Sequence, residues 1–116
     1  MARFEHLPIY KKSFILLVDI EKMVLNMQKR SRYTIWEDLR NLTRQFVVWI
    51  TRLNSISEKE SRLNYTKTMF DTINQIYILL WVTKELKLFQ TKNQYENLLK
   101  QVFDIERQLE WWKKSF

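Results

Sequence analysis

The residues of this sequence that are best suited to chemistry are cations in a short polar segment, residues 27–34. Lys29, Arg30 and Arg32 occupy three of four successive positions there, and the segment contains no acid. Tyr33 follows them with an aromatic ring that can stack on a nucleic-acid base. Cations beside such a ring predict contacts with phosphate groups, with an affinity that falls steeply as the salt concentration rises.

Two further arginines extend this predicted basic surface along the next helix. Arg40 and Arg44 are four residues apart and therefore share one helix face, where Glu37 can pair with Arg40. In an antiparallel bundle, the connector between the third and fourth helices emerges at the same end as residues 27–34. We name the cations expected at that end the basic pole, which comprises Lys29, Arg30, Arg32, Lys84, Lys87 and Lys92.

The overall charge agrees with a polyanionic partner without requiring one. The chain carries 20 lysine or arginine residues against 13 acids, a net charge of +7. Such an excess favours binding to RNA or DNA, and it also favours simple solubility. The alternative interpretation of the basic pole is a solvated polar face, because cations are favoured near the C-terminal end of a helix.

Catalytic and metal-binding chemistry is not indicated by the sequence. There is no cysteine, and His6 is the only histidine, so the ligands of a zinc site or a di-iron bundle are not provided. Arg3 stands where a Glu-x-x-His pair would have its glutamate. The absence of glycine argues against a P-loop or a dinucleotide-binding fingerprint. We therefore expect no catalytic residues, no metal and no cofactor, and hence a protein that is not an enzyme.

The composition and the apolar periodicity predict a single all-α domain over residues 1–116. A chain with no glycine and one proline is poorly suited to β-hairpins, and four apolar stripes recur at helical spacing. We expect an antiparallel, up-down-up-down four-helix bundle, because short connectors make neighbouring helices antiparallel. The predicted helix starts are Pro8 and three capping boxes, Thr34 with Glu37, Ser57 with Glu60, and Thr91 with Gln94.

Two helices carry more apolar residues than a bundle core requires. The blocks FVVWI (46–50) and IYILLWV (76–82) are apolar around the whole helix, which predicts burial on every side. They are much shorter than the roughly 20 residues of a membrane span, so a second subunit is the expected cover. The alternative is a wide core face with a few exposed apolar residues. The residues expected at a homo-oligomer interface are Val47, Val48, Trp81 and Trp111.

The sequence gives no indication of export or of a membrane. The opening segment MARFEHLPIYKK is charged and lacks an apolar run before a small-residue cleavage site. The lack of cysteine is compatible with a reducing compartment. We expect a cytoplasmic protein that does not enter a membrane.

The first half of the chain contains four short motifs, LPIYK (7–11), RYT (32–34), LR (39–40) and LN (53–54). In these motifs residues 7–55 resemble the Avd accessory proteins of diversity-generating retroelements and their four-helix relatives, which include proteins encoded within bacterial ribosomal-RNA intervening sequences. The second half of the chain is similar to these proteins in apolar layout and length only. In relatives, glycine often follows the position of Ile35, where this chain has Trp36, and we add Trp36 to the expected subunit interface.

This resemblance implies a ring-shaped homopentamer of four-helix bundles with a positive surface. It also implies binding to nucleic acid and to the reverse transcriptase of the element, in support of mutagenic cDNA synthesis, without catalysis by the accessory protein itself. An oligomeric protein of the intervening-sequence type, with no polymerase partner, is the alternative. The residues that fall on the family motifs are Tyr10, Lys11, Arg32, Tyr33, Thr34 and Arg40.

Overall fold

The structure is a computed structural model that describes residues 3–26 and 35–116. Within these ranges the chain forms four α-helices and no β-strand, which confirms the predicted all-helical class. The predicted cap residue Thr34 lies outside the described residues. A short 3-10 helix, Phe4–His6, precedes the four helices, which are α1 (Pro8–Leu25), α2 (Ile35–Ser55), α3 (Lys59–Glu85) and α4 (Lys92–Lys114).

Each helix packs against its neighbours in the chain, and α4 closes the arrangement by packing against α1. This arrangement is consistent with a four-helix bundle, and it leaves α1 and α3 across the bundle from each other. Along α3 and α4 the contacts run in opposite order. Arg62, near the start of α3, lies over the ring of Phe116, whereas Lys84, near the end of α3, lies over the ring of Tyr95. The elongated body measures 44 × 22 × 21 Å.

The buried face of α2 departs in part from its most obvious apolar stripe, positions 35, 39, 42, 46, 49 and 53. Ile35, Leu42 and Trp49 of this stripe are only half-buried, whereas the other three are buried. The buried face also includes the polar Thr43. The Thr43 hydroxyl donates to the Leu39 carbonyl at 2.7 Å, so its burial leaves no unpaired donor. The buried residues of α2 are Trp36, Leu39, Thr43, Phe46, Ile50 and Leu53.

The start of α4 has the predicted cap, whereas the start of α3 does not. The Thr91 hydroxyl accepts a hydrogen bond from the Gln94 backbone N–H at 3.3 Å, and the Gln94 side chain accepts one from the Gln90 N–H at 3.0 Å. At α3 the N-cap residue is Glu58, with no side-chain cap. The predicted Ser57 capping box is therefore wrong, because the helix begins one residue later than that box requires.

Replacing Thr91 with alanine is expected to lower the free energy of unfolding by about 1 kcal/mol, because the Gln94 N–H loses its acceptor at the first turn of α4. Urea unfolding of the variant and the native chain measures this difference. Thr91→Ser keeps the hydroxyl and is expected to stay close to the native value. Equal losses in both variants would contradict the capping role.

The end of α3 has a Schellman geometry without the glycine that usually occupies it. The Lys87 N–H donates to the Lys84 carbonyl at 3.0 Å, and the Leu88 N–H donates to the Thr83 carbonyl at 3.1 Å. These bonds require Lys87 to have a positive φ, which is 57°. A residue with a Cβ atom is disfavoured in this left-handed conformation.

Lys87→Gly is therefore expected to raise the free energy of unfolding by about 1 kcal/mol, because glycine adopts this conformation without the steric cost. Lys87→Ala removes the same charge and keeps the Cβ atom, so it is the matched control and should not stabilise the chain. Thermal unfolding of the two variants gives the comparison. If both variants are more stable than the native chain, the cause is the loss of the positive charge and not the backbone conformation.

Candidate nucleic-acid interface

The predicted phosphate-binding residues fall into two groups. Lys29, Arg30, Arg32 and Tyr33 lie outside the described residues. Arg40 and Arg44 lie on α2, and the structure brings both of them to one acid of α1, Glu21.

Glu21 forms ion pairs with both arginines. Its carboxylate lies 2.9 Å from Arg40 Nε and 2.7 Å from Arg44 Nε. The predicted pair between Glu37 and Arg40 is confirmed, at 3.3 Å. Two acids and two arginines therefore form a neutral network between α1 and α2. Arg40 and Arg44 are already engaged within the chain, so binding to phosphate has to compete with Glu21.

Electrostatics within this network favour the charged forms of Glu21 and Arg40. Burial raises the pKa of Glu21, but the hydrogen bonds and the positive charges of Arg44 and Arg40 together lower it by more, so this pKa lies below its ordinary value. The hydrogen bond to Glu21 raises the pKa of Arg40. The side chain of Arg44 is nonetheless 47% exposed, which leaves part of its guanidinium open to a ligand.

The three lysines assigned to the basic pole beside the connector between α3 and α4 line one pocket. Lys84, Lys87 and Lys92 line a cavity of about 230 Å³ together with the rings of Phe89 and Tyr95. All three lysine side chains are exposed. Sequence reasoning did not find this pocket, because an apolar residue such as Tyr95 on a core stripe gives no sign of a cavity beside it.

Aromatic contacts join this pocket to the start of α2. The Phe89 ring lies 5.4 Å from that of Tyr95 and 5.3 Å from that of Trp36, in edge-to-face geometry. The start of α2 therefore lies beside the connector between α3 and α4. In the sequence, the cations at 29–32 come shortly before Trp36.

The residues predicted at a subunit interface divide according to their exposure. Val48, Trp81 and Trp111 are exposed by 42%, 50% and 55%, and Val47 is half-buried. The side chain of Trp36 has no exposed surface, so the prediction that it contacts another subunit is wrong. The reason is that Trp36 belongs to the buried face of α2, where its ring packs against Phe89.

Further exposed apolar side chains were not assigned from the sequence. They lie mainly on α1 and α3, which are across the bundle from each other. The Trp81 ring stacks on that of Tyr77, which in turn lies 5.2 Å from that of Phe103. The additional exposed residues are Phe14, Ile15, Leu25, Ile78, Val82, Leu86 and Phe103.

In residues 3–26 and 35–116, no cluster of three or more potential ligands for a metal ion is found. None of the helices in those ranges has the length and apolar content that a membrane crossing requires. Comparisons with protein-family models, with curated proteins and with solved structures find no match. The resemblance to the Avd-like proteins thus stays an expectation from the sequence.

Proposed function

We propose that this chain is a non-catalytic accessory protein of the Avd type. In this proposal it binds RNA or cDNA through the basic pole and docks the reverse transcriptase of a diversity-generating retroelement. The motifs within residues 7–55 support the family, and the net charge of +7 supports a polyanionic ligand. We also propose that it acts in the cytoplasm.

One observation carries the nucleic-acid part of this proposal. The contact between Trp36 and Phe89 brings the start of α2 beside the connector that bears Lys84, Lys87 and Lys92. The cations at 29–32 come just before α2 in the sequence. The start of α2 and the connector that bears three lysines therefore lie at one end of the bundle. Joint binding of nucleic acid by these lysines and by the cations at 29–32 is part of the proposal. Several cations at one end can neutralise several phosphates at once, which is the electrostatic basis of non-specific nucleic-acid binding.

The ring assembly is supported by the exposed apolar side chains. Phe14 and Ile15 belong to α1, and Ile78, Trp81 and Val82 belong to α3. Since α1 and α3 are across the bundle from each other, the chain has two different apolar faces on opposite sides. Head-to-tail contacts between unlike faces generate a closed ring when the rotation between subunits closes, and an open filament when it does not. We propose an up-down-up-down antiparallel bundle assembled as a homopentamer, in which repeated basic poles bind one nucleic acid multivalently.

Native mass spectrometry tests the assembly. We expect the native chain to form a ring of identical subunits. Ile78→Asp, which adds a charge to the apolar face of α3, is expected to yield monomers. Asn64→Asp adds the same charge to an exposed position more than three turns away on α3 and should leave the ring intact. A monomeric native chain would overturn the ring.

Fluorescence polarisation with a labelled structured RNA and with an RNA–DNA hybrid of the same sequence tests the binding function. Binding to at least one of them at low salt is expected, because phosphate contacts dominate the affinity under these conditions. Failure to bind either ligand would overturn the nucleic-acid part of the proposal.

A second function is favoured by the neutral network around Glu21. If Arg40 and Arg44 serve only to join α1 to α2, the chain fits an oligomeric interaction protein of the ribosomal intervening-sequence type, without a polymerase partner. The DNA around the gene discriminates between the two functions. A neighbouring reverse-transcriptase reading frame and adenine-biased repeats would favour the accessory factor, and their absence would favour the interaction protein.

A further inference from the structure

The pocket between α3 and α4 has the composition of an anion site. Three lysines, Lys84, Lys87 and Lys92, line one cavity of about 230 Å³. Phe89 and Tyr95 form its apolar part, and Tyr95 is almost fully buried. The cations therefore surround a concave site with an aromatic lining, which a solvated polar face does not require.

The lysines of this pocket are only weakly engaged by acids of the chain. Among the described residues, no acid lies within ion-pair distance of Lys87. Lys92 is 3.7 Å from Glu96, with both side chains largely exposed, so this pair contributes little. Lys84 lies over the ring of Tyr95, with its ammonium 5.0 Å from the ring centroid. This contact holds the cation at the edge of the cavity without neutralising it.

Lys87 combines two features, since it ends α3 in a left-handed conformation and it also lines the pocket. Its φ of 57° fixes it in the left-handed region, where glycine would avoid the steric cost. Lys87 lines the pocket, and in the sequence it stands between the other two lysines. Strain of this kind is common at ligand-binding positions.

We propose that this pocket binds a phosphate monoester, specifically the terminal phosphate of a single-stranded RNA or DNA. This inference rests on the proposed nucleic-acid function and identifies the part of the strand that this site recognises. Lys84, Lys87 and Lys92 each donate to a phosphate oxygen, and the terminal nucleotide packs against the aromatic lining.

A terminal phosphate fits this site better than the phosphodiesters within a strand. A monoester has three free oxygens and a charge close to −2 above about pH 6, and three ammonium groups can each contact one of its oxygens. A backbone phosphodiester has two free oxygens and one charge. Because the site is a pocket bounded by aromatic rings, it accepts the end of a strand more readily than a continuous backbone.

The test is fluorescence polarisation with single-stranded oligonucleotides of one sequence, with a 5′-phosphate, a 3′-phosphate or hydroxyl groups at both ends. The native chain is expected to bind one phosphorylated strand about tenfold more tightly than the hydroxyl strand, the effect of one strong charge-assisted contact. This preference should weaken as the pH falls below about 6, where the monoester gains a proton.

The variants separate the pocket from general electrostatics. Lys87→Ala should abolish the preference for the terminal phosphate. Lys67→Ala removes the same charge from an exposed position on α3 outside the pocket and should retain it. Thermal unfolding establishes that both variants are folded, and Lys92→Ala provides a second pocket variant.

Two outcomes would overturn the inference in distinguishable ways. The terminal-phosphate site is contradicted if the native chain binds all three strands with equal affinity. It is also contradicted if Lys87→Ala and Lys67→Ala lose the preference for the terminal phosphate to the same extent. The proposed nucleic-acid function would then stand. No binding of any strand, together with no binding of structured RNA or hybrid, would remove that function and this inference with it.

Discussion

Trp36→Ala is expected to lower the free energy of unfolding by about 3–5 kcal/mol, the usual effect of truncating a large buried aromatic residue. The side chain is completely buried and lies edge-on against Phe89. Truncation would leave a cavity at the end of the bundle where α2 meets the connector between α3 and α4. Urea unfolding at a fixed protein concentration measures the loss, because unfolding of an oligomer depends on concentration.

Two variants test whether this effect belongs to the core or to an interface. Trp36→Phe keeps an aromatic ring, and it removes an indole N–H that has no acceptor among the described residues, so the expected loss is clearly smaller than for alanine. Trp111→Ala truncates a tryptophan that is 55% exposed, and we expect little loss in the stability of the monomer. If Trp36→Ala lowers the free energy of unfolding only slightly and dissociates the oligomer, Trp36 lies at a subunit interface after all.

Glu21→Gln is expected to tighten RNA binding by about tenfold at low salt. The substitution removes the carboxylate that holds Arg40 and Arg44 at 2.9 and 2.7 Å. The freed guanidinium groups can then contact phosphate. The logarithmic salt slope should steepen by roughly 0.7–0.9 for each arginine that gains a contact.

Matched variants distinguish this release from a simple change in net charge. Glu60→Gln makes the same charge change at an exposed residue of α3 and should alter the slope much less. Glu37→Gln releases only the 3.3 Å contact with Arg40 and should have an intermediate effect. An equal rise in affinity for Glu21→Gln and Glu60→Gln would contradict a role of the two arginines in phosphate binding.

The same network has a predictable dependence on pH. Because the pKa of Glu21 is lower in the folded chain than its ordinary value, its charged form stabilises the fold at neutral pH. That contribution is lost as the pH falls from the ordinary range of a glutamate towards the lower folded pKa. Glu21→Gln should therefore have a flatter acid-unfolding profile than the native chain.

The elements that could be predicted from the sequence are those set by local chemistry. The cap at Thr91 and the pair between Glu37 and Arg40 each involve residues three apart, so a helical backbone alone brings the partners together. Pro8 begins α1 for a similar reason, because a proline needs no N–H partner in the first turn of a helix.

The features that could not be predicted depend on how helices pack or on how polar groups are satisfied. The contacts of Glu21 with Arg40 and Arg44 span 19 and 23 residues, so they depend on the register between α1 and α2. The burial of Thr43 on α2 could not be predicted, because the sequence does not show that its hydroxyl donates a hydrogen bond within its own helix. The pocket at Phe89 could not be predicted, because its lining depends on the path of the connector between α3 and α4.

The most direct test of nucleic-acid binding through the basic pole is the affinity for a structured RNA across a salt series. The pole variant combines Arg30→Ala, Arg32→Ala, Lys84→Ala and Lys87→Ala. The control variant removes four exposed lysines elsewhere, Lys59→Ala, Lys67→Ala, Lys100→Ala and Lys114→Ala, so the two have equal net charge.

We expect a steep salt slope for the native chain, a similar slope for the control variant, and a slope flatter by roughly 0.7–0.9 per lost phosphate contact for the pole variant. Equal slopes in the two variants, or no binding by the native chain, would contradict binding through the basic pole.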